Sequence, residues 1–169
     1  MTWLPPITMG SLFDGIGGFP LAAVRNGITP VWASEIEAFP IEVTKLRFPG
    51  MIHVGDITKL RGAELPPVDI ICGGSPCQDL SGAGARAGRV GARAGLFMEQ
   101  MRIVREMRLA EKARGRERGN LRPRWMCWGT VPGAFSSGKA KYEDFRIVAE
   151  EFVRVGVPSG LLPGAYADG

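Results

Sequence analysis

Hydrophobic positions along this chain fall into two kinds of run. Val68 to Cys72, within VDIICGG, is short, unbroken and closed by glycines, which is how a strand buried in a parallel sheet reads. Phe145, Val148, Phe152 and Val155 instead recur at helical spacing among charged residues. Sorted this way, the chain predicts strands near Thr8 to Phe13, Pro30 to Ser34, Met51 to Val54, Val68 to Cys72 and Trp125 to Trp128. Helices are expected over Gly18 to Asn26, Ala38 to Phe48, Leu96 to about Ala113, and Glu143 to Val155. Strand and helix alternate, so the expected class is α/β, with a parallel sheet and helices on its faces. Two segments stand outside the pattern. Gly82 to Gly95, rich in glycine, alanine and arginine, reads as a mobile, functional loop. The tail from Val157, VPSGLLPGAYADG, has no periodicity and reads as a frayed terminus. No internal repeat interrupts the alternation.

Composition narrows the picture. At 169 residues with 45% hydrophobic content, the chain has material for one domain with a real core. The formal charge is +4, but arginines cluster: Arg86, Arg89 and Arg93 in the loop, and a dense group from Arg102 to Arg124. That distribution favours a polyanionic partner over a membrane. No apolar run reaches the roughly 18 to 20 residues of a spanning helix and no signal peptide precedes the first strand, so a cytoplasmic protein is expected. Three cysteines without metal-ligand spacing and a single histidine leave neither a disulfide framework nor a metal site as an expectation.

Candidate chemistry gathers where predicted strands end. FDGIGGF, Phe13 to Phe19, follows a strand and opens a helix, so its glycines allow a tight turn and a close backbone approach to a ligand. By itself this is a tight turn as readily as a binding loop. Glu35 lies about 20 residues on, at the end of the second strand, where an acidic side chain can grip ribose hydroxyls. Asp14 would repel a pyrophosphate yet suit a cationic amino-acid group, which tilts the ligand from a nicotinamide dinucleotide towards S-adenosylmethionine. Asp56 ends the next strand and reads equally as a ligand for an adenine amino group or as a cap. Cys77, in GGSPCQDLS, sits just past a strand's carboxyl end in a glycine-rich, electropositive loop, the setting that makes a thiol a nucleophile. Cys72 and Cys127 fall within apolar strands and read as core residues. His53 has no obvious orienting partner and reads as structural. A nicotinamide-dependent oxidoreductase would explain the glycines and Glu35 but not Pro76, Cys77 and Gln78.

The ordered set FDGIGG, SEIE, GDIT, GGSPCQDLS, the Gly-Leu-Phe at 95 to 97 and VPGAFSS at 131 to 137 resembles the cytosine-5 DNA methyltransferase family over residues 8 to about 155. The resemblance implies a Rossmann-like fold dependent on S-adenosylmethionine, with an incomplete parallel sheet and helices on both faces. It implies Cys77 as the nucleophile that adds to a cytosine, with double-stranded DNA as partner and no metal. It places Phe13, Asp14, Gly15 and Gly17 around the methionine part of the cofactor, and Glu35 on its ribose. Ile36 would meet the adenine face, and Asp56 with Ile57 the adenine edge. Pro76 would shape the nucleophile loop and Leu96 would close the cofactor pocket. Gln78, Ser81, Arg86, Arg89 and Arg93 would meet the DNA, whose target base must be rotated out of the stack.

The chain departs from the family pattern in two ways. Before Val131-Pro132 the pattern has a glutamate and an asparagine, and here Gly129 and Thr130 stand in those places. The family's glutamate contacts the ring nitrogen and amino group of the target cytosine, so the isolated chain is expected to be inactive or severely impaired. Secondly, residues 1–156 match the amino-terminal part of a catalytic domain and 157–169 form an irregular tail, with no target-recognition domain in this sequence. A second chain could supply the remaining half. The alternative is a non-catalytic subunit that binds S-adenosylmethionine or DNA within a split enzyme.

Overall fold

The computed structural model describes residues 5–75, 95–129 and 143–157. Five strands and four helices alternate: β1 (Thr8–Leu12), α1 (Gly18–Arg25), β2 (Thr29–Ser34), α2 (Ala38–Arg47), β3 (Ile52–His53), β4 (Ile70–Gly73), α3 (Gly95–Ala113), β5 (Trp125–Trp128) and α4 (Glu143–Val155). All described strand pairs are parallel, in the order β3-β2-β1-β4-β5. The expected strands and helices are all present, with β4 and β3 somewhat shorter than predicted. β3 stops at His53 because Gly55, at φ 82°, turns the chain away.

The larger part of the core joins Leu12, Trp32 and Ile71 of the sheet to Phe97, Met101, Val104 and Met107 along one stripe of α3. Val148 and Val155 of α4 close this layer, and Phe152 stacks on Phe97 with ring centroids 6.5 Å apart. The Phe145 side chain lies outside the described residues. Gly10 is required by this packing: a Cβ there would come within 2.2 Å of the Trp32 indole. The opposite face holds a smaller cluster of Met9, Ala23 and Cys72, with Phe19, Ile28 and Ile70 packed against it.

One sequence expectation is corrected. Cys127 is exposed rather than core, because β5 is the sheet's edge and its outward positions on the Cys72 face, Trp125 and Cys127, have no helix over them among the described residues. Most of the arginines from 102 to 124 have partners within the fold while several keep much of their side chains exposed, 49% for Arg105 and 52% for Arg114. Arg102 pairs with Glu99 and Glu106 and donates to the carbonyls of Ile57 and Leu60. Arg105 pairs with Glu151, Arg114 and Arg116 with the buried Glu111, and Arg122 with Asp69. Arg108 donates to the carbonyls of Leu121, Pro123 and Gly156. Among the described residues no helix is long and apolar enough to cross a membrane.

Candidate functional site

Crossovers from β1 and β4, neighbours in the sheet, lead to strands on opposite sides, β2 and β5. That reversal opens a crevice at the strands' carboxyl ends, where open α/β sheets bind ligands. The turn between β1 and α1 forms one wall. Phe13, Gly15 and Gly17 all take positive φ values, of 54°, 55° and 87°. Glycine adopts this conformation freely, whereas at Phe13 it costs on the order of 1 to 3 kcal/mol, the sort of strain found at binding sites. A Cβ at Gly17 would press on Thr44 and Phe48, each 2.9 Å away, so this glycine seats α1 against α2. At Gly15 nothing among the described residues lies within 4 Å of that position.

Glu35 follows β2 directly and its carboxylate is held by backbone. Oε2 accepts from Gly15 N–H at 2.8 Å, and Oε1 from Ile36 N–H at 2.7 Å and Glu37 N–H at 3.0 Å. Burial pushes its pKa up, but the N–H groups of Glu37, Gly15 and Ile36 together hold it below the ordinary value, so the group is ionised at neutral pH. Asp14 is 5% exposed. Its N–H donates to the Ser34 carbonyl, Oδ1 accepts from the Ser11 hydroxyl, and Oδ2 is buried without a partner. Burial, opposed by the Ser11 hydrogen bond and aided by the charge of Glu35, raises its pKa to about 6. A buried, unpaired carboxylate oxygen calls for an explanation, and a cationic ligand group in the crevice is one. Among the described residues, the buried unpaired Asp14 oxygen and the backbone-anchored Glu35 carboxylate lie at the same turn as Gly15, chemistry that suits an ammonium group and a ribose.

Of the remaining predicted residues, Ile36 is 69% exposed beside Glu35, and Leu96 packs half-buried at the start of α3. Asp56 serves as a cap: it accepts from Thr58 N–H at 2.9 Å and Thr58 Oγ1 at 2.8 Å at the start of the 3-10 turn Ile57–Lys59. The Ile57 side chain is buried in the core, and its carbonyl accepts from Arg102 at 2.9 Å. Gly129 follows β5 and donates its N–H to the Gly73 carbonyl at 3.0 Å. His53 is part-buried, with Nε2 3.4 Å from Thr44 Oγ1, and burial lowers its pKa, in keeping with a structural role. Pro76, Cys77, Gln78, Ser81, Arg86, Arg89, Arg93 and Thr130 lie outside the described residues.

Gln100 escaped the sequence reading. It is fully buried on α3 with both amide atoms unpaired, pressed against Gly73, where a Cβ would lie 2.8 Å from its Oε1. A glutamine in the same stripe as Phe97, Met101 and Val104 was the available signal.

A family model for C-5 cytosine-specific DNA methylase matches residues 7–110. The chain belongs to that family. Among relatives of this methylase chain, the type II methyltransferase M1.ScrFI of Lactococcus lactis is 42% identical over 101 residues, covering 59% of the chain and 26% of the relative. The type II methyltransferase M.HhaI of Haemophilus parahaemolyticus is 40% identical over 95 residues, covering 56% and 29%. An Escherichia phage P1 protein named DNA N-6-adenine-methyltransferase is 33% identical over 132 residues, covering 76% of the chain but 17% of that protein. A crystal structure described as a DNA modification methyltransferase encoded within an E. coli prophage superposes with a TM-score of 0.60 at 25% identity, covering 88% of the chain and 37% of its own. The chain thus spans less than a third of the length of these curated relatives.

Proposed function

We propose that this chain carries the cofactor-binding part and the nucleophile of a DNA (cytosine-5)-methyltransferase, acting on double-stranded DNA. The observation that carries the reading is the pair of carboxylates at the crevice, one anchored and ionised at Glu35 and one vacant at Asp14 Oδ2, in a chain of the methylase family. Asp14 would hold the ammonium group of S-adenosylmethionine, with Phe13, Gly15 and Gly17 shaping the turn around it. Glu35 would take the ribose hydroxyls, Ile36 the adenine face, Asp56 and the Ile57 backbone its edge, and Leu96 the closing side. Pro76 would orient the loop that presents Cys77, and Gln78, Ser81, Arg86, Arg89 and Arg93 would hold DNA around it.

The bound cofactor supplies an electrophilic methyl group. The chain's own part is to make carbon 5 of cytosine reactive: addition of the Cys77 thiolate at carbon 6 converts the ring to an enamine. Loss of the carbon-5 proton and of the thiolate later restores aromaticity. This addition is helped by an acid that protonates the ring, and Gly129 offers none. The isolated chain is therefore inactive or severely impaired in this reading, and a partner chain could supply the rest. Gly129 also favours a second reading, a non-catalytic subunit that binds S-adenosylmethionine or DNA.

Calorimetric titration of the chain with S-adenosylhomocysteine tests the cofactor assignment. Weak, saturable binding that is lost on Asp14→Ala and on Glu35→Ala is expected, and binding unchanged in both variants would place the cofactor elsewhere. Supplying the carboxyl-terminal part of a relative and identifying the methylated base tests the reaction, with 5-methylcytosine expected. N6-methyladenine as the product would overturn it.

A further inference from the structure

Two of the chain's three cysteines meet on the sheet. Cys72 of β4 and Cys127 of β5 are direct register partners on parallel strands, so their side chains leave the same face at the same level. Neighbouring strands run about 4.7 to 4.9 Å apart, within the Cα separations of about 4.4 to 6.8 Å that a disulfide spans. On the inner side of the pair, Cys72 Sγ lies 3.5 Å from Met9 Sδ. Cys72 is buried while Cys127 is exposed, so one member of the pair is open to a reagent and the other waits behind it.

We propose that Cys72 and Cys127 form a redox-active dithiol, which a small disulfide such as oxidised glutathione converts into an intramolecular disulfide joining β4 to β5. The exposed Cys127 thiolate attacks the glutathione disulfide, forming a mixed disulfide and releasing one glutathione thiolate. Cys72 then gives up its proton and attacks the Cys127 sulfur, expelling the second glutathione. Two protein thiols and one oxidised glutathione thus become one protein disulfide and two reduced glutathiones. The neighbouring Cys72 thiol lowers the Cys127 pKa, whereas Cys127 and burial raise that of Cys72, so the exposed Cys127 is the member that carries the negative charge and attacks first. Cys72 is also the register partner of Ser11, whose hydroxyl donates to Asp14, and Cys127 stands two residues before Gly129, so the bond would fasten the edge strand beside that position.

The test uses the full chain carrying Cys77→Ser, which leaves only these two thiols. After exposure to oxidised glutathione, intact mass should fall by two hydrogen atoms, and the denatured protein should take up no maleimide. Peptide mapping should join the Cys72 and Cys127 peptides within one chain, and the same link should form in the chain that retains Cys77. Adding Cys72→Ala should leave a lasting glutathione adduct on Cys127. A stable glutathione adduct with Cys72 still reactive, a link between two chains, or two thiols left free would each overturn the proposal.

Discussion

Asp14 and Glu35 sit on the same wall of the crevice, yet their environments drive them in opposite directions. Glu35 is stabilised as an anion by backbone N–H groups, whereas Asp14 is buried with one oxygen unpaired and its pKa rises from 3.8 to about 6. The folded chain therefore holds the Asp14 proton more tightly than the unfolded chain does. Its ionisation withdraws stability as pH rises from about 4 to about 6, by at most about 3 kcal/mol at 1.36 kcal/mol per unit. Asp14→Asn should accordingly raise the urea midpoint at pH 8, with the gain fading by pH 4. The same variant should bind S-adenosylhomocysteine more weakly at pH 8, and the parent's affinity should climb as pH passes about 6, when the carboxylate forms. An Asn variant no more stable than the parent at pH 8 would show that Oδ2 is not unpaired in solution. Glu35→Gln makes the complementary case: an amide cannot accept from Gly15, Ile36 and Glu37 at both ends. It should lose about 1 to 3 kcal/mol of stability by urea denaturation at pH 7, the penalty of an unpaired donor.

Strands and helices were legible because period and punctuation agree: apolar runs stop at glycines, and helical stripes such as Val148, Phe152 and Val155 face the core. What joins the elements was not legible. Asp69 is flanked by apolar residues in the sequence, but its carboxylate accepts from Thr8 N–H at 3.0 Å, Thr8 Oγ1 at 2.9 Å and Arg122 Nε at 3.0 Å. It ties together the amino ends of β1, β4 and the approach to β5 across separations that no local pattern encodes. Similarly, an apolar strand does not announce that it lies at an edge, which is why Cys127 read as core. Nor does charge clustering announce Glu99, Glu106, Glu111 and Asp69, which the fold sets beside several of the arginines. Despite its burial, the Thr8 and Arg122 bonds depress the Asp69 pKa, so its contribution is complete above the ordinary carboxylate range and is lost as pH falls through the lowered value. Asp69→Ala should cost about 2 to 4 kcal/mol at pH 7, and parent and variant should converge in acid when denaturation is followed by circular dichroism. A constant difference down to strongly acid pH would assign the loss to packing rather than to charge.

The molecule as a whole presents a crevice at the strands' carboxyl ends, proposed above to hold the cofactor, beside Gly129, in a chain that covers 29% or less of these curated relatives. That Phe13 to Gly17 and Glu35 each sit at a strand's end was legible from motif order, because glycines and the acidic residue punctuate the apolar runs. The consequence of Gly129 is a question of space as well as chemistry, and here the fold is permissive. Among the described residues, a Cβ at Gly129 would meet only Phe19 Cζ, at 3.4 Å, an ordinary contact. Gly129→Glu should therefore fold with a stability change of about 0.5 kcal/mol or less, measured by urea denaturation. Joined to the carboxyl-terminal part of a relative, the chain with Gly129→Glu and Thr130→Asn should form a covalent adduct with 5-fluorocytosine DNA. The same assembly retaining Gly129 should trap that DNA about 100 to 10,000 times more slowly, the usual loss for a missing general acid. Cys77→Ser should abolish the adduct in both. Equal trapping rates with glycine and glutamate would mean that another group protonates the ring, and persistence of the adduct in the serine variant would move the nucleophile away from Cys77. If the glutamate variant folds and binds S-adenosylhomocysteine but forms no adduct, the defect lies beyond position 129. The chain then acts as a binding subunit rather than as an enzyme lacking one acid.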